Sequence, residues 1–567
     1  MRFVGRRGAR WVAVVAAAVG VGACTNAPPP PLVTTEVART QTTKAPNPNE
    51  AVVGVDSVAG GYNPHKLSDQ STITTALAQV LLPSVFRPGP DGTPVLDRTL
   101  MISAEVTSAE PYTVTYQLRA EAAWSDSAPV AAEDFVYLWE QLREEPGSTD
   151  SAGYRLISNI SARDAGRVVE VTFSQPYPGW RGLFANLLPA HLLKDIPGGW
   201  ANVLRENFPV TAGPFSIKGI DRDRGEVVLE RNDRYWSTPV PLDRVILRRA
   251  DAAGIASALG SGHDQLALTA PDADGLTAMA NLGLSVTTTT VPRPAVATVL
   301  LRPVGAAMAD QRIRSAVVAL TDREALVKAG TGGGPGSTLP ANAQVLAPSA
   351  PGYTSTAAPP AKPDLALAES LLTQAGYTRV NEGWALGATP LNLVIAAPAG
   401  RSAYIDMARE LQRQLSAGGV QSRLITPEPD QLFTDLLAPR PATAAAPTEQ
   451  VDLVVAPQPA AGDPVTALAT RFGCTPAMVG AAATAANPAG FCDQTVQDTI
   501  DKALTGTIAL PEALSLVEPT LWSRAISLPL YQEADALVVR REMAGVTAGP
   551  PGSGPFATAP QWRRPQG

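Results

Sequence analysis

The sequence predicts a mixed α/β fold, and three observations carry that reading. Short runs rich in valine and isoleucine alternate with helical segments that are apolar along one face. The chain has 567 residues, enough for about three to four domain-sized units. Its hydrophobic content is 45% against 17% charged, which supports several buried cores. Gly 47 and Pro 53 together stay below the roughly 25–30% that marks a low-complexity chain. The net charge of −7 argues against nucleic acid, because binding phosphates needs a basic footprint. With 3 His and 3 Cys, ligands for zinc or haem are scarce, and no metal or cofactor is expected.

The first residues read as an export signal. Arg2, Arg6, Arg7 and Arg10 precede the apolar run Trp11 to Val21, which is short of the roughly 20 residues that span a bilayer. The run ends Val21-Gly22-Ala23-Cys24. Small residues before a cysteine suit a lipoprotein signal over 1–23, with Cys24 carrying the lipid; the alternative is an ordinary cleavage site. Its loss leaves 41 basic and 52 acidic residues. Residues 24–50, with Pro28 to Pro31 in a row, read as a semi-extended tether.

Order should begin near Ala51, with a strand over Val52, Val53 and Val55. Tyr112–Tyr116, Val168–Phe173, Val227–Glu230 and Val245–Leu247 alternate as strands do. Asp310 is placed to cap a helix with Ile313, Ala316, Val317 and Leu320 inward. Asp364 does the same for Leu365–Gln374, which Gly376 stops, and Ser402 opens a helix that Gly418-Gly419 ends. Leu391–Ile395 and Val451–Val455 are the strands between them. Gly330–Pro363 and Ala438–Gln450 read as long surface loops, and Ala548–Gly567 as a partly ordered tail. Asp322-Arg323 reads as a helix-end ion pair. Cys474 and Cys492 are left over in an exported chain and make one disulfide; the alternative is two free buried thiols. Trp124, Trp139, Trp180 and Trp236 each sit in an apolar pattern and read as core.

A series of blocks then resembles the family 5 extracellular solute-binding proteins, the oligopeptide- and dipeptide-binding type. They run in order from Tyr62-Asn63-Pro64 through Tyr112–Arg119, Trp124–Asp126 and Ala131–Phe135. Gly213-Pro214-Phe215, Leu229–Trp236 and Leu242–Val245 follow, then Arg314–Arg323, Ala375–Tyr377 and Leu528–Gln532. The resemblance implies a two-lobed, periplasmic-binding-protein-like α/β fold of type II with a hinge between the lobes. Lobe one would span 51–272 with an extra subdomain at 81–209. Lobe two would span 273–526, and 527–567 would return to lobe one. The blocks Gln175–Trp180, Leu188–His191, Arg471–Cys474 and Gly490–Asp493 are similar to an actinobacterial lipoprotein branch of the family. That branch implies control of phosphatidylinositol mannoside and lipoarabinomannan synthesis, through monoacyl phosphatidylinositol tetramannoside-class lipids or the mannosyltransferases that extend them.

One departure bears on the ligand. The resemblance implies that peptide-binding members carry, in a loop ending Asp-Pro or Glu-Pro, an aspartate four residues before the proline that pairs with the peptide ammonium; aligned on Asp463-Pro464, that position is Ala460, and the family's tryptophan, seven before the proline, is Pro457. A buried ammonium left unpaired would cost several kcal/mol, so a free peptide is disfavoured unless Asp452 or Asp463 does the pairing. Tyr62 and Asn63 on the first loop and Gln458 on the facing loop are the expected ligand-binding residues, with Ala460 beside them. His65 reads as structural. The expected partners are a glycolipid head group or small solute in the cleft, the membrane through the lipid anchor, and a mannosyltransferase or an ABC permease. No catalytic motif is found: Gly330–Gly336 lacks phosphate-loop spacing, and Glu133-Asp134 is a helix start. The competing reading is the receptor of an importer for peptides or another solute.

Overall fold

The computed structural model describes residues 49–356, 362–438, 449–460, 462–474 and 487–564. Cys24 and the tether up to residue 48 lie outside them, as do residues 439–448 of the second expected loop.

Ten strands form one continuous sheet. In chain order they are β1 (Glu50–Val55), β2 (Phe215–Asp221), β3 (Glu226–Arg231), β4 (Arg244–Arg249) and β5 (Leu266–Thr269). Then come β6 (Val286–Leu301), β7 (Asn392–Ala396), β8 (Gln421–Ile425), β9 (Leu453–Pro459) and β10 (Ser527–Arg540). The order across the sheet is β8-β7-β9-β6-β10-β5-β1-β4-β3-β2. β1 runs parallel to both β4 and β5, and β7 runs parallel to both β8 and β9. Such strands are covered on both faces, which is why β1 is apolar after Glu50 and buried from Ala51 to Val55.

The two longest strands, β6 and β10, lie side by side and join the halves. β6 pairs with β10 from Val286 to Pro292, loses register, and resumes at Val296 opposite Gln532. The break is written as Pro292-Arg293-Pro294. Proline has no N–H to give to a ladder, so two prolines in three residues force a bulge. On one side of it β10 pairs with β5; on the other β6 pairs with β9. The result is two lobes joined by strands that bend where they cross.

A four-stranded antiparallel sheet forms the extra layer on lobe one, in the order Met101–Ala109, Tyr112–Leu118, Val168–Phe173 and Ile157–Arg163. Its core is aromatic: Tyr116 stacks edge-on against Trp180 and Phe184, and Phe135 packs on Phe184 at 4.7 Å. Trp124 and Trp180 are buried; Trp139 and Trp236 are only partly so. Asp134 ties this layer together. One carboxylate oxygen accepts from Ala190 N–H at 2.9 Å, the other from Ala131 N–H at 3.0 Å and Trp124 Nε1 at 3.2 Å.

Aspartate starts helix after helix. Asp310, Asp364 and Asp463 accept from the first turns of Gln311–Leu320, Leu365–Gln374 and Pro464–Phe472. Each such cap is worth about 0.5–2 kcal/mol.

Three expectations are corrected. Asp322 caps Arg323–Thr331 and makes no ion pair with its neighbour; Arg323 instead donates to the carbonyls of Ala341 and Pro529. Much of the loop after Gly330 is interior, with Ala341, Ala343, Gln344, Val345 and Ala347 buried. Leu339 and Ala341 hydrogen-bond to Gln532 and Leu530, so a hinge strand holds it. The tail also packs: Pro555–Gln561 is a 3-10 helix, and Phe556 and Trp562 are each 1% exposed. Cys474 and Cys492 are joined as a disulfide.

Replacing Asp134 by Ala would leave two buried donors and one half-buried one without an acceptor. The expected cost is ~2–4 kcal/mol, read as a lower urea midpoint; an unchanged midpoint would refute the role given to this carboxylate.

Candidate functional site

In sheets of this kind, ligands bind beyond the carboxyl ends of the parallel strands. The ends of β1 and β5 in one lobe, and of β7, β8 and β9 in the other, lead into loops that face each other. One wall of the cleft is residues 63–72, and the opposite wall carries Arg401, Tyr404 and Asp430. The hinge strands form the floor.

The floor is charged. Tyr531, Glu533 and Asp535 alternate along β10, and Arg293 stands in the proline break of β6. Arg293 Nη1 is 3.0 Å from Glu533 Oε2, and its Nε is 4.0 Å from Asp535 Oδ2. Tyr404 of lobe two donates to Glu533 Oε1, and Thr72 of lobe one donates to Asp535 Oδ2 at 2.9 Å. Each carboxylate is thus held from a different lobe. Burial disfavours the Arg293 charge, but Glu533 and then Asp535 outweigh it and hold its proton more tightly than usual. Burial pushes Asp535 up to about 6 against the pull of Arg293.

The walls touch directly. Lys66 Nζ lies 2.6 Å from Asp430 Oδ1; the lysine side chain is 3% exposed and the aspartate 35%. Lys66 also donates to Ala201 O at 3.2 Å. Arg401 donates to the carbonyls of Ser68 and Gln70. A second meeting joins the extra layer of lobe one to the helix Pro464–Phe472. There Ala152 N–H donates to Thr470 Oγ1 at 3.2 Å, and the Tyr177 and Thr466 hydroxyls are 2.6 Å apart. Burial raises Asp150 to about 6, opposed by Arg471, and lowers Arg471 to about 10.

The residues expected from the sequence fall unevenly around this cleft. Tyr62 is fully buried in lobe one, its ring near Phe208 and its hydroxyl donating to Val58 O at 2.9 Å. Asn63 is also fully buried; its Oδ1 accepts from His65 N–H, and its Nδ2 has no partner among the described residues. Both shape the first loop from behind. Gln458 lies on the facing strand and lines a small cavity with Gln344, Arg471 and Ser527. Ala460 donates its N–H to Pro294 O at 2.8 Å and packs on a small apolar group of Val296, Ala341 and Ala347. Asp463 is engaged by its own helix, and Asp452 accepts from Val394 N–H and Gln450. His65 is buried with Nε2 2.9 Å from Asn186 O, and burial lowers it to about 4.

Sequence reasoning missed Arg293, Tyr404, Glu533, Asp535, Lys66 and Asp430. A signal was present for three of them: an arginine between two prolines, and Glu-x-Asp inside the apolar stretch Leu528 to Val539.

Fold and cleft define a solute-binding protein of two lobes closing on a ligand. Residues 99–477 match the bacterial extracellular solute-binding proteins, family 5, and the chain belongs to that family. Among its relatives is the probable monoacyl phosphatidylinositol tetramannoside-binding protein LpqW of Mycobacterium tuberculosis, 33% identical over 97% of this chain and 96% of that one. The oligopeptide-binding protein OppA of Mycobacterium bovis is 28% identical over 52% of this chain and 50% of its own length. The solved structure of AppA from Bacillus subtilis with a nonapeptide superposes with a TM-score of 0.71 at 15% identity, over 91% of this chain and 99% of that one. That likeness shows the fold.

Two measurements test the cleft chemistry. Asp430→Ala takes the direct carboxylate partner from a buried ammonium, leaving it the Ala201 carbonyl, and should cost about 2–3 kcal/mol; Lys66→Met frees a carboxylate that water can reach and should cost about 1 kcal/mol or less. Urea titrations giving the reverse order would refute the pairing. The second concerns pH. Asp134, Asp150 and Asp535 are raised to about 6 from 3.8, so the folded state takes up their protons first and gains stability as pH falls through 6. His65, lowered from 6.5 to about 4, works the other way over that range. Three groups outweigh one, so stability at pH 5 should equal or exceed that at pH 7; a clear drop would contradict these assignments.

Proposed function

We propose that this protein is a membrane-anchored lipoprotein that binds mannosylated phosphatidylinositol lipids in its inter-lobe cleft. Through them, or through the mannosyltransferases that extend them, it regulates phosphatidylinositol mannoside and lipoarabinomannan synthesis in the cell envelope. It acts as a binding protein, without catalysis. The observation that carries this reading is the match along nearly the whole length of LpqW, which is named for such a lipid. The loop chemistry supports it: Ala460 offers no carboxylate to a peptide ammonium and is packed among apolar groups. Cys24 carries the anchor, and residues 24–50 set the reach of the body from the membrane. Tyr62 and Asn63 hold the first loop in shape, while Gln458 meets the ligand from the facing lobe.

A second reading has its own support. OppA is a relative over half the chain, and an acidic cleft floor suits an amine. On that reading the protein is the receptor of an ABC importer for peptides or another solute.

The test is a native mass spectrum, with lipid extraction, of the mature body purified from a mycolate-containing host. A co-purified mannosylated phosphoinositide is the expected result. Co-purified peptides would overturn the glycolipid reading in favour of the importer.

A further inference from the structure

A cavity of about 20 Å³ lies at the lobe-one end of the cleft floor. Thr75 and Ala76 of the helix Thr72–Leu81, Pro292 and Arg293 of the proline break, Asp535 and Phe556 line it. About 10–15 Å³ is enough for one water, so the space admits a single group of that size. Most of its lining is apolar. Asp535 is 3% exposed; its Oδ2 is taken by Thr72, and its Oδ1 has no hydrogen-bond partner among the described residues.

An ionised carboxylate only accepts hydrogen bonds, and a buried acceptor without a donor costs free energy. Arg293, the nearest cation, is engaged by Glu533 at 3.0 Å and reaches Asp535 only at 4.0 Å, on the oxygen that Thr72 already holds. One guanidinium faces two carboxylates, so the floor is net negative. It disfavours phosphate and calls for a donor.

We propose that this cavity is an anchoring subsite for one hydrogen-bond-donating group of the ligand, a hydroxyl or an ammonium, with Asp535 Oδ1 as its acceptor. The proposal rests on the glycolipid reading for the identity of the donor, a mannosyl hydroxyl. It adds an orientation to that reading: the sugar end enters towards the hinge, and the anionic phosphate stays at the rim. Asp535 is then the residue that selects donor-bearing ends over anionic ones.

Two substitutions probe it differently. Asp535→Asn removes the charge and turns one of the two acceptor oxygens into an NH₂ donor. Ala76→Val fills the cavity and leaves the carboxylate alone. Calorimetric titration would compare wild type and both variants against α-1,2-mannobiose, tetra-alanine and inositol 1-phosphate, with thermal melts confirming that each variant is folded. The expected result is mannobiose binding weakened at least tenfold by both substitutions, with inositol 1-phosphate bound more weakly than mannobiose by wild type. Tetra-alanine bound in place of mannobiose, with the same sensitivity, would keep the acceptor subsite and overturn the glycolipid reading. Mannobiose bound equally well by folded variants would overturn the subsite and leave the glycolipid reading standing. Binding of none of the probes to wild type would overturn the subsite.

Discussion

The structure turns on an arginine held between two prolines at the point where two long paired strands pass from one lobe to the other. The prolines cannot complete the ladder, so β6 and β10 lose register there, and the bulge lets the sheet serve two lobes. Arg293 fills the gap with charge. Taking a guanidinium and two carboxylates out of water costs several kcal/mol per ion, and three ionised groups at one crossing make sense only if their mutual attraction and their further partners offset that cost. Those partners come from opposite sides: Thr72 from lobe one and Tyr404 from lobe two. The hinge carboxylates are therefore bonded to both lobes.

The lobe contacts beyond the hinge follow from the same geometry. Parallel strands end on the cleft side, so the loops after them must face across it, and their polar groups must be met by water, ligand or the other lobe. Lys66 and Asp430 meet directly, as do Arg401 and the carbonyls of Ser68 and Gln70. The segment after Gly330, glycine- and proline-rich, lies along β10 and carries Gln344 to Ser527. Family members share this framework while differing in what they bind, because the fold sets where a ligand sits and individual side chains decide which one. On the reading proposed above, Ala460 leaves the facing loop without an acceptor and Asp535 supplies one at the floor.

Much of this was legible in the residues. Local rules place the helix starting at Gln311, the one capped by Asp364 and the strands Tyr112–Leu118 and Val168–Phe173, because capping, periodicity and glycine stops act over a few residues. The ordered blocks name the family for a similar reason. Two misreadings share one cause. The stretch after Gly330 and the C-terminal tail have loop composition, yet both are buried against the hinge or the helix Thr72–Leu81, where distant partners satisfy their backbone. Arg323 misled in the same way, since an adjacent aspartate looks like its partner until the carbonyls of Ala341 and Pro529 are brought to it.

The sequence by itself determined the fold class, the family and most of the helix starts, all of which depend on residue type within a short window. Only the tertiary structure decided the site. Arg293, Tyr404, Asp430 and Asp535 are separated by tens to hundreds of residues; Pro-Arg-Pro and Glu-x-Asp mark Arg293 and Asp535 as unusual, but no local pattern brings the four together. Their meaning depends on burial and on charges at 3–4 Å, quantities that exist only once the chain has crossed itself at the hinge. Tyr62 and Asn63 show the converse: their motif drew attention to the first loop, but packing on Phe208 and the turn at His65 bury both side chains in lobe one.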